Sequence, residues 1–110
     1  MKICYIAHPI GGDVEKNLAS LREIVRAINF NFPEVLPFCP YYSDVVSLDD
    51  SKGNERNRGI KNNEFLLNKG FIDELWLFGE RISNGMQGEI DIAKKMGIKI
   101  VSKSENIKEF

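Results

Sequence analysis

One helix of this sequence carries a carboxylate where an apolar side chain is expected. Over Gly85–Met96 the apolar residues repeat at helical spacing, and a wheel of about 100° per residue places Met86, Ile90 and Ala93 on one arc. Glu89 falls within this arc and is its only charged residue. Because burying an unpaired carboxylate is costly, Glu89 must be paired, hydrogen-bonded or open to a cavity. A cavity would make it a candidate nucleophile, whereas a lysine or arginine partner would make it structural.

Glu64 is a second candidate carboxylate. A weaker helical pattern over Ile60–Lys69 places it in line with Ile60, Leu67 and Phe71. Two glutamates that face one crevice can divide the work of glycosidic chemistry, since one attacks or stabilises the anomeric carbon and the other moves a proton. The alternative is that Glu64 is a surface or capping residue.

These carboxylates must be held by a framework in which strands and helices alternate. Apolar runs bounded by turn residues predict strands at Lys2–Ala7, Val35–Phe38, Asp73–Phe78 and Ile98–Val101. Helical periodicity predicts Val14–Phe30, Ile60–Lys69 and Gly85–Met96, and the polar stretch Cys39–Gly59 predicts a long loop. We therefore expect an α/β fold in which residues 1–110 form one domain. Its open parallel sheet of four to five strands, with helices on both faces, should be Rossmann-like or flavodoxin-like.

Ligands of such sheets bind beyond the carboxyl ends of the strands. Three segments should meet at that edge, namely Ala7–Asp13, Arg58–Glu64 and Gly79–Glu89. His8 lies in the first of them, at a position suited to acid and base chemistry, but the sequence identifies no partner for its ring, so we expect it to contact the substrate and not to act in catalysis. We expect the active site to be assembled from these three segments.

Composition restricts the class of partner. A net charge of -1 disfavours polymeric nucleic acid, so a small molecule is the expected ligand. The first residues form a short strand-like run, without the pattern of a signal peptide or a membrane helix, which predicts a cytoplasmic protein. With only Cys4, Cys39 and one histidine, the chain has too few ligands for a disulfide framework or a zinc site, and no cofactor is expected.

The segment Ser83–Glu89 resembles the Ser/Asp-x-Gly-x-x-x-Glu element of the nucleoside 2-deoxyribosyltransferase-like family, which includes nucleotide N-glycosidases. The helix after it, Gly97 and the last predicted strand are also similar, and the resemblance spans most of the chain. It implies cleavage or transfer at the N-glycosidic bond of a (deoxy)nucleoside or its monophosphate, with Glu89 as the nucleophile. It also implies a homo-oligomer, to whose sites the Glu109–Phe110 terminus could contribute.

The same resemblance assigns roles at two further positions. Tyr5 stands near the end of the first predicted strand, where the family carries an aromatic residue that orients the nucleophile. Asn63 and Glu64 resemble a segment in which the family carries an aspartate that contacts the base or the sugar. Here the residue is glutamate and its spacing to Asp73 differs, so either Glu64 or Asn63 could fill that role.

Several other residues are candidates for substrate binding. Gly11 precedes a helix and could bring backbone amides to a phosphate, or it could be a plain tight turn. Ser83 could bind a substrate phosphate or simply cap its helix. Gly85 would let a ligand approach the backbone, and Met86 adjoins it in the family element. The cations of the long loop (Arg56, Arg58 and Lys61) could close over a phosphate, and Tyr42 is the best candidate for base stacking among the aromatic residues.

Two rival functions remain open. The same crevice could bind a nucleotide without turnover, as a module that captures a signal or regulates a partner. A purely structural role is the third reading, which the absence of a pocket beside Glu89 would support.

Overall fold

A computed structural model describes all residues from Met1 to Phe110. Four strands and four helices follow one another along the chain. In order they are β1 (Lys2–Ala7), α1 (Val14–Asn31), β2 (Val35–Phe38), α2 (Tyr41–Ser47), α3 (Gly53–Leu67), β3 (Glu74–Leu77), α4 (Asn84–Met96) and β4 (Lys99–Ser102). The four predicted strands and three predicted helices are present in the predicted order, and α2 is an additional helix.

The sheet is entirely parallel, in the order β2-β1-β3-β4. Because β1 lies between two neighbours and under helices, its last four residues, Cys4–Ala7, are fully buried, which explains their continuous apolar sequence. The chain steps from β1 to β2 in one direction and from β3 to β4 in the other. Right-handed crossovers therefore place α1 on one face of the sheet and α3 and α4 on the opposite face. The predicted open α/β sheet with helices on both faces is confirmed.

The region between β2 and β3 departs from the prediction. The expected loop Cys39–Gly59 is wrong, because it contains α2 and the first turns of α3. Valine, serine and aspartate give α2 a low intrinsic helix propensity, so its helix depends on tertiary contacts. Tyr41 supplies them, since its side chain is buried and its hydroxyl donates to the carbonyl of Ile6 in β1. The helix α3 also ends at Leu67, so the predicted alignment of Glu64 with Phe71 on one helix is wrong.

Local signals mark the helix ends that face the candidate site. The Asp13 carboxylate caps α1 by accepting from the amide of Lys16 at 3.2 Å. The helix α4 begins after Ser83 and ends at Gly97, whose φ of 72° lies in the left-handed region that favours glycine. Both helices thus begin at the carboxyl edge of the sheet.

The chain contains no helix with the length and apolar character of a membrane span. Likewise, no group of three His, Cys, Asp or Glu side chains is placed to hold a metal ion. Both cysteines are free, and Cys4 is a fully buried small side chain whose burial raises the pKa of its thiol to about 11.

Candidate active site

Glu89 and Tyr5 meet between α4 and the central strand. Tyr5 points from β1 toward α4, and its hydroxyl donates a hydrogen bond to Oε2 of Glu89. The salt bridges of the chain are Lys2–Glu74 and Lys52–Glu55, so Glu89 has no cationic partner. The structural reading of Glu89, in which a lysine or arginine neutralises it, is therefore wrong.

The surroundings of this pair control its protonation. Burial raises the pKa of Glu89 from 4.5 to about 7, although the hydrogen bond from Tyr5 opposes part of the rise. Burial, and after it the charge of Glu89, holds the pKa of Tyr5 well above its usual value of 10. The phenol therefore remains a hydrogen-bond donor at neutral pH, where both the acid and the carboxylate of Glu89 are populated. A carboxyl group with this pKa can serve as a nucleophile or exchange a proton.

A cavity of about 600 Å³ opens beside Glu89 at the carboxyl edge of the sheet. This volume lies within the range of small-molecule sites. All three segments expected from the sequence contribute to its wall, together with α2 and further residues of α3. The predicted site residues that line it are His8, Gly11, Asn63, Glu64, Ser83, Gly85, Met86 and Glu89. Tyr5 lies behind this wall and reaches the cavity only through Glu89.

His8 is held in place by two hydrogen bonds. Its Nδ1 lies 2.6 Å from the carbonyl oxygen of Pro9, to which it donates, and its Nε2 lies 3.0 Å from Oγ of Ser20. The residue is only 8% exposed. Because both ring nitrogens have protein partners, His8 fixes the turn after β1. His8 also lines the cavity, and its contact with substrate stays a prediction.

The two candidate phosphate contacts differ in their surroundings. Asp50 places Oδ2 3.8 Å from the position that a Cβ on Gly11 would occupy. A carboxylate at that turn repels a phosphate. Ser83 accepts from the amide of Met86 at 3.2 Å, so its role as the cap of α4 is confirmed. Its contact with a substrate phosphate stays a prediction.

Asn63 and Glu64 lie side by side on α3 but differ in burial. Glu64 is exposed at the rim of the cavity. Asn63 is half-buried, and its Oδ1 is buried without a hydrogen-bond partner. Of the two residues, Asn63 is the one whose polar atom is enclosed.

The sequence analysis missed several residues of the cavity wall. Tyr41 and Asp44 come from α2, which was expected to be loop, and Arg81 comes from the loop after β3. Arg81 lies within the predicted segment Gly79–Glu89, although it was not among the individual site residues predicted. Of the expected cations only Arg56 lines the cavity, and Tyr42 instead accepts a hydrogen bond from Arg22.

Close packing fixes the loops on which these residues stand. Gly79 follows β3 with a φ of 98°, and a Cβ at this position would come within 2.5 Å of Cδ of Pro9. Only glycine permits this approach without a shift. The loop after β1 and the loop after β3, which leads to Arg81 and Ser83, are thereby held together.

An all-parallel sheet with a cavity at its carboxyl edge defines a Rossmann-like α/β protein. The chain belongs to the family described as Domain of unknown function (DUF7768), whose model matches residues 2–103. The fold is similar to that of a solved 2-deoxyribosyltransferase from the psychrotolerant bacterium Bacillus psychrosaccharolyticus, described as a biocatalyst for the synthesis of nucleosides. The TM-score is 0.67 at 14% identity, over 98% of this chain and 76% of that chain. No curated protein matches the sequence.

Proposed function

We propose that the protein cleaves the N-glycosidic bond of a (deoxy)nucleoside or its monophosphate, and either releases the sugar or transfers it to another base. The observation that carries the proposal is the setting of Glu89. Its carboxyl group has no cationic partner, accepts a hydrogen bond from Tyr5 and lines a cavity of nucleoside size. The fold of the solved 2-deoxyribosyltransferase supports the proposal at the level of architecture.

In the proposed reaction the Glu89 carboxylate attacks the anomeric carbon of the sugar. A C–O bond forms as the C–N bond breaks, and the bonding electron pair leaves with the base, whose nitrogen takes up a proton. Water then hydrolyses the glycosyl ester, or a second base attacks it and forms a new nucleoside. Either step returns Glu89 to its carboxylate form.

Tyr5 positions the nucleophile in this scheme. Its hydroxyl occupies one carboxylate oxygen, which leaves the other to face the sugar. The bond also stabilises the ionised form of Glu89, since donation to a carboxylate lowers its pKa. Glu64 at the cavity rim is proposed to exchange the proton of the base, and Asn63 to contact the base.

Product analysis tests the proposal. The purified protein is incubated with a panel of nucleosides, 2-deoxynucleosides and their monophosphates, with and without a free acceptor base, and the products are separated by chromatography. Free base and sugar indicate hydrolysis, whereas a new nucleoside indicates transfer. Glu89→Gln should abolish both products.

If the protein binds nucleosides without releasing base, and Glu89→Gln binds them equally well, the cavity belongs to a non-catalytic binding module. Assembly into a homo-oligomer is a separate prediction, which light scattering of the purified chain tests.

A further inference from the structure

Asp50 carries an unpaired carboxylate in the wall of the cavity that contains Glu89. The residue is half-buried between α2 and α3, and it takes part in neither of the two salt bridges of the chain. Its neighbour Asp49 accepts from the amide and the hydroxyl of Ser51, whereas no protein group donates to Asp50. Partial burial of a carboxylate without a partner costs free energy, which a ligand that supplies a donor recovers.

The carboxylate oxygens of Asp50 are accessible to a ligand. The one side-chain oxygen or nitrogen atom that is buried without a partner belongs to Asn63, so the unpaired oxygens of Asp50 are open to solvent. Oδ2 lies 3.8 Å from the position that a Cβ on Gly11 would occupy, and Gly11 lines the same cavity. The carboxylate of Asp50 therefore lies beside the turn that precedes α1.

The start of α1 would otherwise suit a phosphate. The first amides of a helix have no partner within the helix, and together with the helix dipole they favour an anion. Neither Arg56 nor Arg81, the two guanidinium groups of the cavity wall, pairs with the carboxylate of Asp50 beside this turn. A phosphate at the turn would therefore meet an uncompensated like charge, whereas a hydroxyl group would find an acceptor.

We propose that Asp50 selects an unphosphorylated nucleoside, by accepting a hydrogen bond from its 5′-hydroxyl and repelling a 5′-phosphate. Acidic residues of dinucleotide-binding folds make the same distinction, since they accept from a ribose hydroxyl where an arginine would accommodate a phosphate. The inference rests on the proposed function, because it assumes that the sugar of a nucleoside lies between Glu89 and the turn before α1. It narrows that function, which includes both nucleosides and their monophosphates.

Matched substrates isolate the 5′ group. They are the 2-deoxynucleoside that reacts fastest in the panel, its analogues that lack the 5′-hydroxyl or the 3′-hydroxyl, and its 5′-monophosphate. In wild type, kcat/KM for base release should be lower by about tenfold or more for the 5′-deoxy analogue, the equivalent of one hydrogen bond to a charged group. It should be lower still for the monophosphate, because repulsion is added to the lost hydrogen bond.

Three variants assign this selection to one side chain. Asp50→Ala should remove the preference for the 5′-hydroxyl over the 5′-deoxy analogue, and it should leave the effect of the 3′-hydroxyl unchanged. Asp50→Asn keeps an accepting oxygen without the charge, so it should keep that preference and reduce the discrimination against the monophosphate by about tenfold or more. Neither change should lower the melting temperature, because no protein group donates to Asp50.

Asp49→Asn is the matched control. It removes the same charge from the neighbouring residue, which is exposed and lies outside the wall of the cavity. The amide keeps an oxygen for the hydrogen bonds from Ser51. This variant should therefore select among the four substrates as wild type does.

Two kinetic results would overturn the inference. One is faster turnover of the monophosphate than of the nucleoside by wild type, which would leave the proposed function standing. The other is an unchanged preference for the 5′-hydroxyl in Asp50→Ala. A preference that this variant loses for the 3′-hydroxyl alone would likewise contradict the assignment to the 5′ position.

If no substrate is turned over, the proposed function fails and binding alone decides the inference. Calorimetry then compares 2-deoxyadenosine and 2-deoxycytidine with their 5′-monophosphates, in wild type and in Asp50→Asn. Tighter binding of the nucleosides by wild type, with a smaller difference in the variant, supports selection by Asp50. Equal affinities in wild type, or binding of neither class, overturn it.

Discussion

Two glutamates at opposite edges of the sheet show how depth and partners decide the behaviour of a carboxyl group. Glu74, at the amino edge, is only 8% exposed, and it accepts from Nζ of Lys2 at 2.7 Å and from Nε1 of Trp76 at 2.9 Å. These bonds hold its pKa below the usual 4.5. Glu89, at the carboxyl edge, is deep in the molecule yet open to the cavity, and burial raises its pKa to about 7.

The contrast explains why only one of them is a candidate for chemistry. Each oxygen of Glu74 accepts from a protein donor, and Glu74 does not line the cavity. Glu89 has one Tyr5 hydroxyl and no cation, so its charge remains costly and reactive. An enclosed glutamate is therefore structural when its donors match its acceptors, and a functional candidate when they do not.

The largest expected effect separates the two glutamates by activity. Glu89→Gln should lower base release by about a thousandfold or more, because the amide cannot attack the anomeric carbon. Glu74→Gln should leave activity near wild type, since it lies at the other edge of the sheet. Turnover of the best nucleoside from the panel measures both variants. Equal losses in the two would refute the functional distinction.

Tyr5→Phe should have the next largest effect. Removing the hydroxyl leaves the carboxylate without its donor, so the pKa of Glu89 should rise further and the active form becomes scarcer at neutral pH. We expect a loss of about tenfold to a hundredfold at pH 7. In wild type, kcat/KM should rise with pH and level off above about 7. If the pH profile of kcat/KM has the same midpoint in Tyr5→Phe as in wild type, the hydroxyl does not lower the pKa of Glu89.

Stability should depend on pH with opposite signs at the two sites. Because folding raises the pKa of Glu89, its contribution is present below about 4.5 and is lost as pH rises to about 7, a change on the order of 1–3 kcal/mol. Folding lowers the pKa of Glu74, so its contribution is present above about 4.5 and is lost as pH falls below that value.

Urea unfolding from pH 3 to pH 8 measures both windows. Glu89→Gln should remove the loss of stability on the alkaline side, and Glu74→Gln should remove the loss on the acid side. If Glu89→Gln instead removes the loss on the acid side, and Glu74→Gln the loss on the alkaline side, the two pH dependences have been assigned to the wrong residues.

Lys2→Met should have the smallest effect. The side chain of Lys2 is 58% exposed, so solvent screens its pairing with Glu74, and loss of the pair should change the free energy of unfolding only slightly. Activity should not change. A large loss of stability in thermal or urea unfolding would mean that this exposed ion pair is a major contributor to the free energy of unfolding.

The elements with strong local signals were predictable from the sequence. The run Lys2–Ala7 is apolar because β1 is covered on both faces, and Gly97 marks the end of α4. The position of Glu89 on its apolar arc predicted a carboxylate that is paired, hydrogen-bonded or open to a cavity, and Glu89 is hydrogen-bonded to Tyr5 and lines a cavity. Each of these features depends on neighbours in the sequence.

The features that depend on distant contacts were not predictable. The helix α2 has weak propensity and forms because Tyr41 reaches the carbonyl of Ile6, 35 residues away. The unpaired oxygen of Asn63 is a property of the closed wall, and no spacing in the sequence indicates it. No spacing in the sequence indicates that the Asp50 carboxylate lies beside Gly11, where it disfavours binding of a phosphate.

Trapping of the glycosyl ester tests the central claim most directly. Fluorine at C2 of the sugar of a nucleoside destabilises the oxocarbenium-like transition states of both steps. When breakdown of the glycosyl ester is slowed more than its formation, the ester accumulates. Mass spectrometry of the digested protein should then show the mass of the fluorinated sugar on the peptide that contains Glu89, and no adduct in Glu89→Gln. Release of the base with the sugar attached to another residue would contradict the assignment of Glu89 as the nucleophile.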